Sequence, residues 1–112
     1  AEVFNIIGEV EGRNILIVDD MVDTCGTLIK STEALKEHGA KRVYASATHA
    51  VLSGPAIRLI QDNDVEQVIV TNTIQLDGAK CIPKIKVLSV APLLAEAIRS
   101  IHEETSVSKL FV

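Results

Sequence analysis

The stretch Ile15-Leu-Ile-Val-Asp-Asp-Met-Val-Asp-Thr-Cys-Gly-Thr27 passes from an unbroken apolar run to paired carboxylates, and then to a small, hydroxyl-bearing loop. Its opening half, with Asn14 in front, reads as a strand over Asn14–Val18, apolar at every position from Ile15. A run without alternation predicts burial on both faces, the mark of a central strand in a layered α/β fold. A loop is expected over Asp19–Gly26. A helix then follows from about Cys25 to His38, with Leu28, Thr32 and Leu35 on one face and Ile29 beside them. Lys30, Glu33, Lys36 and Glu37 face outward, and Gly39 has the place of a terminating glycine.

Outward from this core the pattern repeats. Upstream, Val3–Val10 reads as a strand and Glu11-Gly12-Arg13-Asn14 as a tight turn, so the first two strands are expected to pair antiparallel. Downstream, Arg42–Thr48 reads as a strand with Val43, Ala45 and Ala47 on one face. Ser53-Gly54-Pro55 opens a short helix through Ile57 and Ile60, and Gln67–Thr71 is the next strand. Asn72–Lys84 is irregular, with a turn at Asp77-Gly78 and a stop at Pro83. Ile85–Val90 is the last strand. Pro92 begins a helix whose Leu94, Ala97, Ile98 and Ile101 form an expected buried stripe, before a polar tail from Glu104 to Val112. The fold class implied is α/β: a mostly parallel sheet flanked by helices, with an N-terminal antiparallel hairpin strand.

Composition narrows the function. With 112 residues, 47% of them hydrophobic but only two Phe, one Tyr and no Trp, one small domain built on Val, Ile, Leu and Ala is expected. The net charge of −4 comes without clustered Lys or Arg, which argues against nucleic-acid binding; Lys41-Arg42, Lys84 and Lys86 read as solvated strand flanks. No apolar run approaches the roughly 20 residues of a membrane helix, and no signal peptide opens the chain. Cys25 and Cys81 have no Cys or His partner at ligand spacing, so a reduced, cytoplasmic protein is expected. The chain starts at Ala1 inside a strand-like pattern, which reads as a fragment.

The chemistry concentrates at the carboxyl end of the Asn14–Val18 strand, where open parallel sheets hold ligands. Asp23, Thr24, Cys25, Gly26 and Thr27 enter a helix N-terminus, whose unpaired N–H groups and partial positive charge suit an anion. Gly26 allows close approach to the backbone, and the Thr24 and Thr27 hydroxyls add donors. Asp19 and Asp20 would repel that anion but accept well from sugar hydroxyls, so a phosphorylated pentose satisfies both halves. The plainer alternative is that Asp23 or Thr24 simply caps the helix. His49 follows a strand end, where a hydrogen-bonded structural role is the more usual one. His38 and His102 lie near helix C-termini and need no function.

The Val-Asp-Asp and Asp-Thr-x-Gly-Thr string resembles the phosphoribosyl-binding motif of type I phosphoribosyltransferase folds. Ala47-Thr-His-Ala-Val-Leu-Ser-Gly-Pro-Ala56, Thr71-Asn-Thr-Ile74, Leu88-Ser-Val-Ala-Pro-Leu-Leu-Ala-Glu-Ala-Ile-Arg99 and Ser106-Val-Ser-Lys-Leu-Phe111 resemble ribose-phosphate pyrophosphokinases in particular. The resemblance implies that residues 1–112 are the C-terminal portion of such an enzyme. These enzymes transfer pyrophosphate from ATP, with Mg²⁺, to ribose 5-phosphate, in a homo-oligomer. It also implies that Asp23, Thr24, Cys25, Gly26 and Thr27 cradle the 5-phosphate and that Asp19 and Asp20 address the ribose. Ser106, Ser108 and Phe111 match a tail that forms a phosphate or ADP regulatory site in regulated members. Cys25 stands where Gly or Ala is also familiar, beside acidic neighbours that disfavour a thiolate, and reads as a small spacer.

Against the family's pattern, the sequence lacks the first domain with its ATP-side residues and metal-binding His. The pyrophosphate loop and the flexible catalytic loop are missing too. The fragment alone is therefore expected to be inactive, with no catalytic residue of its own. A phosphoribosyltransferase and a non-catalytic regulatory homologue are the neighbouring alternatives. A phospho-receiver domain is not: Ala47-Thr48-His49 stands where its phosphoacceptor Asp is needed, and Ser89-Val90-Ala91-Pro92 where its Lys is needed.

Overall fold

The computed structural model describes residues 6–111. Four strands, β1 (Asn14–Val22), β2 (Arg42–Ala50), β3 (Val65–Thr71) and β4 (Ile85–Leu88), alternate with helices α1 (Gly26–Glu37), α2 (Ala56–Asp62) and α3 (Ala91–His102). Short 3₁₀ turns lie at Gly78–Lys80 and Ser108–Phe111. The sheet is parallel throughout the described residues, in the order β1-β2-β3-β4. Ile17, Ala45, Val68 and Ile85 stand in one cross-strand row.

The antiparallel hairpin does not form among these residues. Residues 6–10 of the expected first strand have no strand geometry, and its Val3, Phe4 and Asn5 lie outside the described residues. The turn binds elsewhere: Gly12 N–H donates to Gly39 O at 2.8 Å and Lys41 N–H to Arg13 O at 2.8 Å. Gly39 is irreplaceable here on two counts. Its φ is +89°, and a Cβ would stand 2.9 Å from Glu11 Cγ.

When strand order follows the chain and crossovers are right-handed, every connection lands on one face of the sheet. The core agrees. Ala45, Ala47, Val68, Val70 and Ile85 are buried with Ile29 of α1 and Ala56 and Ile60 of α2, while Leu76 and Ile82 of the third connection pack against them. The opposite face has no such cover, so Leu16 and Val18 are exposed, Val18 at 74%. The expected central strand is thus an edge strand buried on one side only. Its apolar run encodes two covered faces, and the described residues supply one.

The α3 stripe departs in the same way. Leu94, Ile98 and Ile101 are exposed, the last two at 68%, while Ser100 is buried. The helix packs against the Ser108–Phe111 turn more than against any strand of the sheet. The radius of gyration, 16.6 Å, accordingly exceeds the roughly 13 Å of a compact chain this long. Lys84 is no solvated flank. Its Nζ donates to the carbonyls of Ile60, Gln61 and Asn63 at 3.1, 3.3 and 2.7 Å, closing the C-terminus of α2.

Candidate functional site

The strand β1 runs four residues past its expected end, through Asp19, Asp20, Met21 and Val22. Pairing decides this: Asp19, Met21 and Val22 stand opposite Ala47, His49 and Ala50 of β2, and the ladder overrides the low strand propensity of Asp. Because side chains alternate along a strand, the two carboxylates part company. Asp19, with Met21, lines a pocket of about 300 Å³ at the carboxyl edge of the sheet, and Asp20 does not. The Asp20 N–H instead donates to Asp19 Oδ1 at 2.8 Å and orients that carboxylate.

Asp23, Thr24, Cys25, Gly26 and Thr27 line the same pocket, with Leu28 and Ser31 behind them. Six of the seven proposed substrate residues therefore meet in one cavity. The chain turns into α1 through Cys25, whose φ of 71° is left-handed. The positive φ falls at Cys25 and not at Gly26, which explains why glycine is at home there. At Gly26 a Cβ would meet nothing within 4 Å, so the space above its backbone is open.

No side chain caps α1, whose N-cap is Cys25. The plainer alternative, in which Asp23 or Thr24 closes the helix, is thereby removed. The first-turn residues Gly26, Thr27 and Leu28, whose amides have no carbonyl partner within the helix, line the pocket. The Cys25 thiol is buried and pushed up to about 11, chiefly by that burial and then by the charge of Asp23. A helix N-terminus ordinarily acidifies a thiol. Here desolvation wins, which disfavours the thiolate of a buried, packed side chain.

Sequence reasoning missed Ser53. Its Oγ donates to Asp23 Oδ1 across a separation of 30 residues. The signal was the Ser-Gly-Pro string, read as a helix start and as part of the family resemblance. His49 does not line the pocket; its Nδ1 pairs with Thr73 Oγ1 at 2.8 Å, and Thr73 and Thr71 hydroxyls donate to Thr48 O. His38 pairs with Ala34 O at 2.8 Å at the end of α1. Ser106 and Ser108 bond each other at 2.7 Å, and neither they nor the exposed Phe111 reach the pocket. Among the described residues no three His, Cys, Asp or Glu side chains gather as a metal-holding group. No helix among them is long and apolar enough to cross a membrane.

The family described as phosphoribosyl synthetase-associated domain matches residues 2–112. A ribose-phosphate pyrophosphokinase of Caldanaerobacter subterraneus subsp. tengcongensis is 58% identical over 111 residues, covering 99% of this chain and 35% of the relative. The Bacillus subtilis protein of the same name is 51% identical over equal coverage. The crystal structure of phosphoribosylpyrophosphate synthetase from Mycobacterium smegmatis superposes with a TM-score of 0.83 at 44% identity, over 88% of this chain and 33% of that one. The chain thus spans about a third of the length of the relatives it matches.

Proposed function

The chain belongs to the phosphoribosyl synthetase-associated domain family, and on that premise we propose that it is the ribose 5-phosphate-binding part of a ribose-phosphate pyrophosphokinase. One observation carries the reading: the uncapped start of α1, with Thr24, Gly26 and Thr27 lining a pocket that Asp19 also lines. The first-turn amides and the two hydroxyls hold the 5-phosphate, and the helix dipole favours its charge. Asp19, steadied by the Asp20 amide, accepts from the ribose hydroxyls. These contacts fix the sugar so that its anomeric hydroxyl faces the pyrophosphoryl donor.

In this reading ATP, with Mg²⁺, binds on residues that this chain does not contain. The uncovered face of the sheet lies against the remainder of a longer enzyme, which works as a cytoplasmic homo-oligomer. The tail residues Ser106, Ser108 and Phe111 belong to a regulatory contact between subunits. They stand outside the substrate pocket, as such a role requires.

The test turns on Gly26. Gly26→Val in the full-length enzyme places a branched side chain in the open space above the backbone, where a Cβ meets nothing within 4 Å. Two lost charge-assisted hydrogen bonds, at roughly 1.5–3 kcal/mol each, weaken ribose 5-phosphate binding by about a hundredfold or more. Calorimetric titration is expected to show that loss with ATP affinity unchanged. Unaltered ribose 5-phosphate affinity in a folded variant would remove the phosphate from this loop.

A further inference from the structure

An aspartate two residues ahead of a helix N-cap has an obvious local partner. Its side chain can bend back onto the amides two and three residues on, as Asx turns and caps do. Asp23 stands in that position before Cys25, yet no side chain caps α1. The Asp23 carboxylate is occupied elsewhere, accepting from Ser53 Oγ.

The segment that carries Ser53 is itself pinned. Val51 N–H and Leu52 N–H both donate to Val22 O, at 3.0 and 3.1 Å, so the chain leaving β2 is bound to the end of β1. Lys80 Nζ donates to Val51 O at 3.3 Å, and Leu52, with φ 50°, is buried at 1% exposure. Ala56 N–H bonds Ser53 O as α2 begins. Ser53 does not line the pocket. Its hydroxyl reaches the site by the hydrogen bond to Asp23.

We propose that Ser53 is a positioning residue that holds the Asp23 carboxylate off the start of α1 and so keeps the first-turn amides open to the substrate phosphate. The inference rests on the ribose 5-phosphate reading above. Without the Ser53 hydroxyl, the carboxylate is drawn to the positive end of α1 and bonds the amides that the phosphate needs. It then competes as a cap and repels as a charge. Ser53 acts on the phosphate by redirecting a negative charge, and its effect vanishes once that charge is gone.

The experiment is a double-mutant cycle in the full-length enzyme, with ribose 5-phosphate, ATP and inorganic phosphate titrated separately. Ser53→Ala is expected to weaken ribose 5-phosphate about tenfold, as one charge-assisted hydrogen bond is worth, with ATP affinity unchanged. Ser53→Thr, which keeps the hydroxyl, should restore affinity to within about threefold. In an Asp23→Asn background, Ser53→Ala should cost less than about twofold, because the competing charge is absent. If Ser53→Ala does not fold, Ser53→Cys, a weak donor of similar size, replaces it with an intermediate loss expected. A tenfold cost that persists in the Asp23→Asn background, or no cost where Asp23 is intact, would overturn the proposal. Inorganic phosphate, counted as the part of its binding that Gly26→Val abolishes, separates the two readings. A wild-type enzyme that takes phosphate in the loop but not ribose 5-phosphate sinks the substrate reading and still tests Ser53. One that takes neither sinks both.

Discussion

Helices α1 and α3 are each 12 residues long, and each begins at the carboxyl edge of the same parallel sheet, yet their N-termini are built to opposite ends. The start of α3 is partly closed by neighbouring side chains. Val90 N–H donates to Asn72 Oδ1 at 2.9 Å, Ala91 N–H to Ser89 Oγ at 3.1 Å, and Pro92 has no N–H to offer. The start of α1 is uncapped, and the nearby Asp23 carboxylate is bound to Ser53. A helix start is thus open to an anion only where neighbouring side chains leave its donors free. Dipole and position are shared by both helices, so they do not distinguish them.

The contrast can be broken most forcefully at Gly26, where the hundredfold loss described above would turn an open start into a blocked one. A milder intervention removes one donor at a time. Thr27→Val and Thr24→Val should each lower ribose 5-phosphate affinity about tenfold by titration, while thermal stability stays nearly constant. The reverse change opens the partly closed start. Asn72→Ala should lower the exchange protection of the Val90 amide roughly fivefold to tenfold, the worth of about 1 kcal/mol, and leave ribose 5-phosphate affinity within about twofold. A gain of phosphate binding at α3 in that variant would show that capping alone separates the two starts.

The smallest expected effect concerns Cys25, which sits at the open start without gaining reactivity. Its thiol is raised from an ordinary value of 9.0 to about 11 in the fold. An unfolded chain releases that proton first as pH rises, so the contribution to stability is complete below about pH 9 and disappears as pH climbs toward 11. Alkylation followed by mass spectrometry at about pH 8, below both values, should therefore mark the exposed Cys81 well before Cys25. Equal labelling rates would show that the helix dipole outweighs burial.

Much of this arrangement was legible in the residues themselves. Hydrophobic spacing placed α1, and the run of Val43, Ala45 and Ala47 placed the buried side of β2, because period and burial are coupled within a single element. The loop at Asp23–Thr27 was readable for the same reason: small residues and hydroxyls after an apolar strand are a local signal. The stripe Leu94–Ile98–Ile101 was equally periodic and still came out exposed. Periodicity names the face that wants cover, not whether anything covers it.

The sequence by itself determined the order of strands and helices and the phosphate-suited loop, since each rests on patterns of residues close along the chain. The tertiary structure alone decided that β1 continues through Asp19 and Asp20, because pairing with β2 outweighs intrinsic propensity. It decided that the two carboxylates point apart, and that one sheet face is covered and the other bare. It also decided that Asp23 is held by Ser53, a contact spanning 30 residues. A hydrogen bond over that separation forms only when two strands and the segments beyond them are already in register, so no local pattern of residues can announce it.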